Sequence, residues 1–366
     1  MTIVVTGAGG FIGQNLMLRL AERGHAVVGI GSDASKTDLF AALDQADLVF
    51  HLAGVNRPPR DEEFVTGNVD FTRTLCEGLS ALRRPIPVVF SSSIQAGLEN
   101  AYGRSKRDAE DLLLAYSAGG APVRIFRLPN VFGKWARPNY NSAVATFCHN
   151  TARGLDITVN DPQAPLNLVY VDDVCAAFLA LAEHPFDGGA FAEVDPVYRT
   201  TVGEVADTIR AFPHSRTTML TDRVGGGLIR ALYSTYLSYL EPAAFAYDVP
   251  RHGDDRGVFV EILKTPDCGQ FSYFTAGPGV TRGQHYHHTK TEKFLVLAGR
   301  ARFGFRHMVS GETFHLETEG GQGRIVETVP GWTHDITNVG EQEMIVMLWA
   351  SEIFDRAHPD TVPMKV

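Results

Sequence analysis

Thr6-Gly7-Ala8-Gly9-Gly10-Phe11-Ile12-Gly13 is the stretch on which the fold turns. It follows a short apolar run, Ile3 to Thr6. It precedes Phe11 to Glu22, where Ile12, Leu16 and Leu20 recur at helical spacing. Strand, glycine turn and helix in that order bring backbone amides and the positive end of a helix dipole to one point. Glycines in the turn let a pyrophosphate approach the backbone closely. The place of this turn between strand and helix, more than the glycines alone, marks a dinucleotide site. Gly7, Gly10, Phe11, Ile12 and Gly13 are its candidate coenzyme contacts.

The same alternation continues outward. Ala26 to Ile30, Leu48 to Leu52, Val88 to Phe90 and Val123 to Leu128 read as strands. Val69 to Leu82 and Ala109 to Tyr116 read as helices. Strand-helix repetition on this spacing predicts an α/β architecture, a doubly wound parallel sheet of the Rossmann kind. Thr201 with Glu204 three residues later predicts a capping box opening a helix from Val202 to Phe212. After about Pro242 the texture changes to short strand-like runs: Val258 to Leu263, Gln270 to Thr275, Phe294 to Leu297, Ala301 to Arg306, Ile325 to Val329 and Met344 to Trp349. Short strands cut by turn residues predict a small all-β barrel or sandwich. The expected domains are residues 1–243 and 250–366, with the boundary between Tyr239 and Gly253.

Composition bounds the function. At roughly 150 residues per domain, 366 residues make two. A net charge of -9 argues against a nucleic-acid or anionic-membrane partner. Cys76, Cys148, Cys175 and Cys268 are scattered without a CxxC pair, which predicts reduced thiols in a cytoplasmic protein. Met1 to Thr6 passes straight into a strand pattern, so no secretory leader is expected. No apolar run approaches the roughly 20 residues that span a bilayer.

The second strand ends Val28-Gly29-Ile30-Gly31-Ser32. An acid there would bond the ribose hydroxyls of NAD and repel a 2'-phosphate. The position is empty and Asp33 comes late, so NADP is permitted and not required, with Ser32 the candidate contact. Tyr102-Gly103-Arg104-Ser105-Lys106 is a YxxxK that places both side chains on one helical face. A neighbouring ammonium favours the phenolate and suits the tyrosine to proton transfer. The serine run Ser91-Ser92-Ser93 stands at the end of the fourth strand.

These motifs resemble the extended short-chain dehydrogenase/reductase family from Met1 to about Pro242. His51-Leu52-Ala53-Gly54, Asn68 and Arg127-Leu128-Pro129-Asn130-Val131-Phe132-Gly133 are similar to it as well. The resemblance implies that Tyr102 exchanges a proton with the sugar hydroxyl or ketone. It implies that Lys106 holds the nicotinamide ribose and lowers the tyrosine pKa, and that Ser92 or Ser93 polarises the carbonyl. Leu52, Ala53 and Gly54 join the coenzyme contacts. Dehydratases of the family follow the serine or threonine with Asp-Glu. Ile94-Gln95 stand there in this chain, which favours a simple reductase.

A second constellation lies in the β-rich half. His285, His287, Glu292 and His334 form a nitrogen and oxygen donor set suited to Zn, Fe, Mn or Ni. On a strand His285 and His287 point the same way. The spacing resembles the two motifs of the cupin family, the second imperfectly at Pro330-Gly331. Arg282-Gly283-Gln284-His285 and Asp255-Arg256-Gly257-Val258-Phe259 also resemble the metal-free nucleotide-sugar 3,5-epimerases. There the same histidine is the general base, so His285 is either ligand or base. Lys290 and Lys293 flank the motif, as base, counter-charge or solvated groups.

Over nearly the whole chain the pattern is similar to the bifunctional capsular-polysaccharide nucleotide-sugar enzymes (CapF-like), a reductase fused to a cupin. That resemblance implies C3 epimerisation of a UDP-2-acetamido-2,6-dideoxy-4-hexulose in the cupin, then NADPH-dependent C4 reduction. The product would be UDP-2-acetamido-2,6-dideoxy-L-talose, on the way to UDP-N-acetyl-L-fucosamine. It also implies zinc and a homodimer through the cupin. A 4-keto sugar has acidic protons beside the ketone, and reduction removes that acidity, which gives the fusion a chemical reason. Candidate substrate contacts are Arg57, Asn130, Lys134, Asn139 and Asn141, with Arg57, Lys134 and Arg137 available for a UDP diphosphate. The alternative for these cations is pairing with surface carboxylates. The competing function is a plain 4-ketoreductase or C4 epimerase whose cupin holds a structural metal.

Overall fold

The computed structural model describes residues 1–366 except 83, 184, 185, 187 and 188. In chain order the first unit runs β1 (Thr2–Thr6), α1 (Phe11–Glu22), β2 (Ala26–Ile30), α2 (Lys36–Asp44), β3 (Leu48–His51), α3 (Glu62–Phe64), a π-helical turn Val65–Asp70, α4 (Phe71–Ala81), β4 (Val88–Ser93), α5 (Ala101–Ala118), β5 (Val123–Leu128), β6 (Asn130–Phe132), α6 (Ala143–Ala152), β7 (Pro165–Tyr170), α7 (Val171–Glu183), β8 (Phe191–Ala192), β9 (Tyr198–Thr201) and α8 (Val202–Ala211).

The main sheet is parallel, in the order β2-β1-β3-β4-β5-β8. The order of strand addition reverses between β1 and β3, and the carboxyl ends of those parallel strands frame the crevice where doubly wound sheets take ligands. Val4, Val49, Val88, Phe90 and Ile125 are buried in one cluster with Leu39, Leu75, Leu79 and Leu113 from the covering helices. Because both faces are covered, the strands read as continuous apolar runs. The capping box at Thr201 forms: Thr201 N donates to Glu204 Oε2 at 3.1 Å, and Glu204 N donates to Thr201 Oγ1 at 3.2 Å.

The second unit contains β10 (Arg251–Asp254), β11 (Gly257–Thr265), β12 (Gly269–Ala276), β13 (Thr281–Tyr286), β14 (Glu292–Ala298), β15 (Arg300–His307), β16 (Thr313–Glu319), β17 (Ile325–Glu327), β18 (Trp332–Asn338), β19 (Met344–Ala350) and β20 (Val362–Pro363). Two antiparallel sheets, β10-β11-β12-β19-β14-β17 and β16-β15-β18-β13-β20, enclose a core of Phe274, Phe294, Val296, Phe303, Phe305, Ile336 and Val346. β14 shows the period-2 logic: Glu292, Phe294 and Val296 are buried while Lys293 and Leu297 are exposed.

The units are not consecutive in the chain. Met1–Arg210 groups with Ala231–Leu240, and Ala211–Arg230 groups with Glu241–Val366. The sequence reading has one break near 243–250, whereas the chain changes unit three times. Backbone pairing explains the difference for residues 211–230. Lys264 N donates to Met219 O at 2.6 Å and Thr221 N donates to Lys264 O at 2.9 Å, and Arg223 binds Asp267.

Candidate active site and metal centre

A cavity of about 1010 Å³ opens at the carboxyl ends of the parallel strands. Gly7, Gly9, Gly10, Phe11, Ile12 and Gly13 line one side, with Leu52 and Gly54 beside them. Two of these glycines are sterically required. Gly7 has φ +68°, and a Cβ there would lie 2.7 Å from Ala53 N. A Cβ at Gly13 would lie 2.1 Å from Gly7 O. The backbone cradle and the N-terminus of the twelve-residue helix α1 therefore fit a coenzyme diphosphate. Ala53 supports the cradle through its backbone, donating N–H to Thr6 Oγ1 at 3.3 Å. Ser32 is exposed and outside the described lining, because the chain turns away after β2 and Asp33 folds its carboxylate back over Gly31.

Tyr102, Lys106, Ser92 and Ser93 also line this cavity. α5 starts at Ala101, capped by Asn100 Oδ1, which accepts from Gly103 N at 2.6 Å. Lys106 is buried; its Nζ donates to Ser91 O at 2.9 Å and sits 4.6 Å from the Phe90 ring centroid. Burial pushes this ammonium down to about 8 against the opposing pull of Glu110. The phenol of Tyr102 is raised by burial, with a hydrogen bond to Ser93 partly offsetting it. The expected lowering of the tyrosine by Lys106 is thus not what governs the phenol here: burial raises it, and Ser93 supplies the opposing effect. The phenol stays protonated, which is the form a proton donor needs.

The two serines separate. Ser93 faces Tyr102, and its Oγ accepts from Gln95 N at 3.2 Å. Ser92 instead donates to buried Glu110, whose Oε2 also accepts from Arg127 Nη2 at 2.6 Å. Ser92 is therefore withdrawn as the carbonyl-polarising residue, since its hydroxyl is spent on a structural carboxylate. Sequence reasoning missed Glu110, although its place four residues beyond Lys106 on the same helical face was a usable signal. Below the site, buried His51 bridges Thr6 Oγ1 at 2.8 Å and Thr72 Oγ1 at 2.9 Å, and burial holds it down near 3, neutral. Asn68, in the π-helical turn, accepts from Val55 N at 2.8 Å and donates to Ser105 Oγ at 2.9 Å.

Of the substrate candidates, Arg57, Asn130 and Asn141 line the cavity, as does Arg137. Arg57 donates to Tyr140 O, and Arg137 stacks 5.3 Å from the Tyr140 ring. Lys134 and Asn139 are corrections. Lys134 Nζ is held by Asp172 at 2.8 and 2.9 Å, so its charge is already matched. Asn139 is exposed in a left-handed conformation with its N–H on Thr146 Oγ1, outside the described lining. Trp135 and Tyr140, unforeseen, also line the cavity.

In the second unit the donor atoms of His285, His287, Glu292 and His334 all lie within 4.8 Å of one another. β13 carries a bulge between Gly283 and His285, with positive φ at Gly283 and Gln284, before His285 turns inward. His287, Glu292 and His334 are buried. Burial would raise the Glu292 carboxyl, but His287, His334 and the Lys290 ammonium outweigh it and hold it far below the usual carboxylate range. Burial pushes His285 down to about 4, so its ring is neutral at pH 7.

The residues fit a cation. Both ring nitrogens of His334 are buried without a hydrogen-bond partner among the described residues. His287 Nδ1 faces Asp360 O, and its Nε2 lies 3.1 Å from Glu292 Oε2. A cation there would give the His334 nitrogens a partner beside the Glu292 carboxylate. Lys290 is buried with Nζ 3.6 Å from Glu292 Oε1. Lys293 is excluded, since it is exposed and paired with Glu327. His285, Glu292 and His334 line a cavity of about 140 Å³ together with Arg282.

Comparison with known proteins places these geometries. The profile described as "NAD dependent epimerase/dehydratase family" matches residues 3–194, and "Polysaccharide biosynthesis C-terminal domain" matches residues 252–362. The chain is 54% identical over 368 residues, 100% of this chain and 99% of the other, to the UDP-2-acetamido-2,6-beta-L-arabino-hexul-4-ose reductase of Pseudomonas aeruginosa PA103. The crystal structure of capsular polysaccharide assembling protein CapF from Staphylococcus aureus superposes with TM-score 0.92 at 41% identity, covering 100% of both chains. UDP-glucuronic acid 4-epimerase of Bacillus cereus shares the fold at TM-score 0.53 and 20% identity, over 58% of this chain and 83% of that one.

Proposed function

Because the chain belongs to the NAD dependent epimerase/dehydratase family and is CapF-like along its whole length, we propose that it is a bifunctional nucleotide-sugar enzyme. It epimerises C3 of a UDP-2-acetamido-2,6-dideoxy-4-hexulose and then reduces the C4 ketone. The product is UDP-2-acetamido-2,6-dideoxy-L-talose, toward UDP-N-acetyl-L-fucosamine for capsule or O-antigen. The observation that carries the reduction is the convergence of Tyr102, Ser93 and Lys106 in the cavity lined by the glycine turn. The relative named as a hexul-4-ose reductase supports the same half-reaction.

The glycine turn would hold NADPH, which when bound would supply the hydride for C4 and leave as NADP. Tyr102 gives its phenolic proton to the oxygen as the carbonyl becomes a hydroxyl. Ser93 donates a hydrogen bond to that oxygen, and the Lys106 ammonium stabilises the phenolate left behind. Arg57 and Arg137 are the cations for the UDP diphosphate. The end of β2 at Ile30, with no acid to hold the ribose hydroxyls, permits NADPH and supports it as the coenzyme.

For epimerisation, a base removes the proton at C3, and reprotonation from the other face inverts the centre. With His285 as a ligand, buried Lys290 is the candidate base; without a cation, His285, neutral and open to the small cavity, takes that role. Zinc held by His285, His287, Glu292 and His334 would supply charge to stabilise the enolate oxygen. Burial of three of those four residues favours a second reading, in which the cation is structural and the enzyme is a plain ketoreductase.

A homodimer through the cupin is supported by the outer face of β12, β19 and β14. There Phe271 pairs with Trp349, Tyr273 with Met347 and Leu295 with Met347, an apolar surface turned from the core. A cytoplasmic setting is supported by four free cysteines. No helix among the described residues is long and apolar enough to cross a membrane.

Turnover of the 4-keto substrate with NADPH in deuterated water, followed by NMR, tests both halves. Tyr102→Phe should slow NADPH oxidation by about 10²–10⁴-fold yet keep deuterium incorporation at C3. Reduction at the parent rate would remove Tyr102 from the mechanism. Absence of deuterium at C3 in the parent enzyme would leave the plain ketoreductase.

A further inference from the structure

We infer that Asp360 is a positioning residue for the His285, His287, Glu292 and His334 centre, acting from the segment just before β20, remote in sequence, to hold its ligand loop. The inference rests on the metal reading above. The loop from His287 to Thr291 joins β13 to β14 and carries one ligand at its start, with Glu292 just after it. One carboxylate gathers that loop. Asp360 Oδ1 accepts from His288 N at 2.8 Å. Its Oδ2 accepts from Thr289 N at 2.7 Å, Lys290 N at 2.8 Å and Thr289 Oγ1 at 3.0 Å. Three successive amides turned onto one anion form a concave nest, a backbone shape that an apolar residue in place of the carboxylate would leave unsatisfied.

The same residue reaches the ligand itself. The backbone oxygen of Asp360 accepts from His287 Nδ1, which holds the ring with Nε2 toward Glu292. Outer partners of this kind fix ring orientation and tautomer, and their loss typically lowers metal affinity about 10–100-fold. Neighbours of Asp360 brace the other ligand strands. Thr361 Oγ1 accepts from Lys290 Nζ at 3.2 Å. β20 pairs with β13 at His285 and Tyr286, and Thr333 Oγ1, next to His334, donates to Met364 O at 2.6 Å. A separation of 73 residues from His287 hides this contact from any local motif.

The test is zinc titration of the metal-stripped full-length protein, with the visible absorption spectrum of the cobalt-substituted form as a second readout. Asp360→Ala should weaken zinc binding about 10–100-fold and alter the cobalt bands. Asp360→Asn should fall between, since its amide oxygen can keep the three bonds now made to Oδ2. Parent affinity and an unchanged cobalt spectrum in Asp360→Ala would overturn the inference. If that variant does not fold, Asp360→Asn decides alone: parent affinity with an unchanged spectrum overturns the inference, and weaker binding with altered bands supports it. Parent protein that binds neither metal would sink the metal reading, and this inference with it.

Discussion

Ser92 and Ser93 are neighbours on β4, and the pleat sends their side chains to opposite sides. One meets the phenol of Tyr102 and the other meets Glu110. Ser93→Ala should therefore lower kcat by about 10²–10³-fold, the typical effect of losing one donor to a developing oxyanion. Ser92→Ala should leave kcat near the parent value but lower Tm, because buried Glu110 loses a partner worth about 1–2 kcal/mol. Steady-state kinetics and thermal melts on the two variants check this, and equal kcat losses would contradict it. At this scale the sequence identified the residue types and left the choice between adjacent serines open. Lys134 shows the same limit: its cation was legible, but the carboxylate of Asp172 that claims it lies 38 residues away.

Elements that carry apolar periodicity were readable; elements that carry chemistry were not. Helix α1 and strands β2 and β5 have the bounds expected from their apolar residues. Helix α5 begins eight residues earlier than its apolar spacing suggests, because its first turns bear Tyr102, Arg104, Lys106 and Arg107 instead of core residues. The sequence reading set His285 and His287 on one strand, but β13 ends at Tyr286 and His287 opens the following loop; β18 went unread, since polar residues and His334 interrupt its apolar alternation. The glycine turn is the opposite case, where residue type alone dictates the local shape. Gly13→Ala forces a methyl to within 2.1 Å of Gly7 O, so the turn must open. NADPH affinity should fall at least ~10-fold, measured by coenzyme fluorescence titration, in line with the close packing that this glycine position serves. Unchanged affinity would show that the diphosphate binds elsewhere.

For the whole molecule, the apolar outer face of β12, β19 and β14 supports the proposed dimer. Met347→Asp places a charge at the middle of that face. It should shift the protein from dimer to monomer in sedimentation experiments while leaving NADPH-dependent reduction in place; an unaltered dimer would move the interface elsewhere. The order of strands and helices, the glycine cradle, the YxxxK helix face and the four-residue donor set were all present in the sequence by itself. Each depends on local rules of backbone sterics, side-chain period and ligand chemistry. Tertiary structure alone decided which serine meets the phenol, which cation a carboxylate claims, how Ala211–Arg230 joins the second unit, and that Asp360 braces the histidine loop. Those outcomes depend on desolvation and on hydrogen bonds between residues far apart in the chain, and neither exists until the strands are packed.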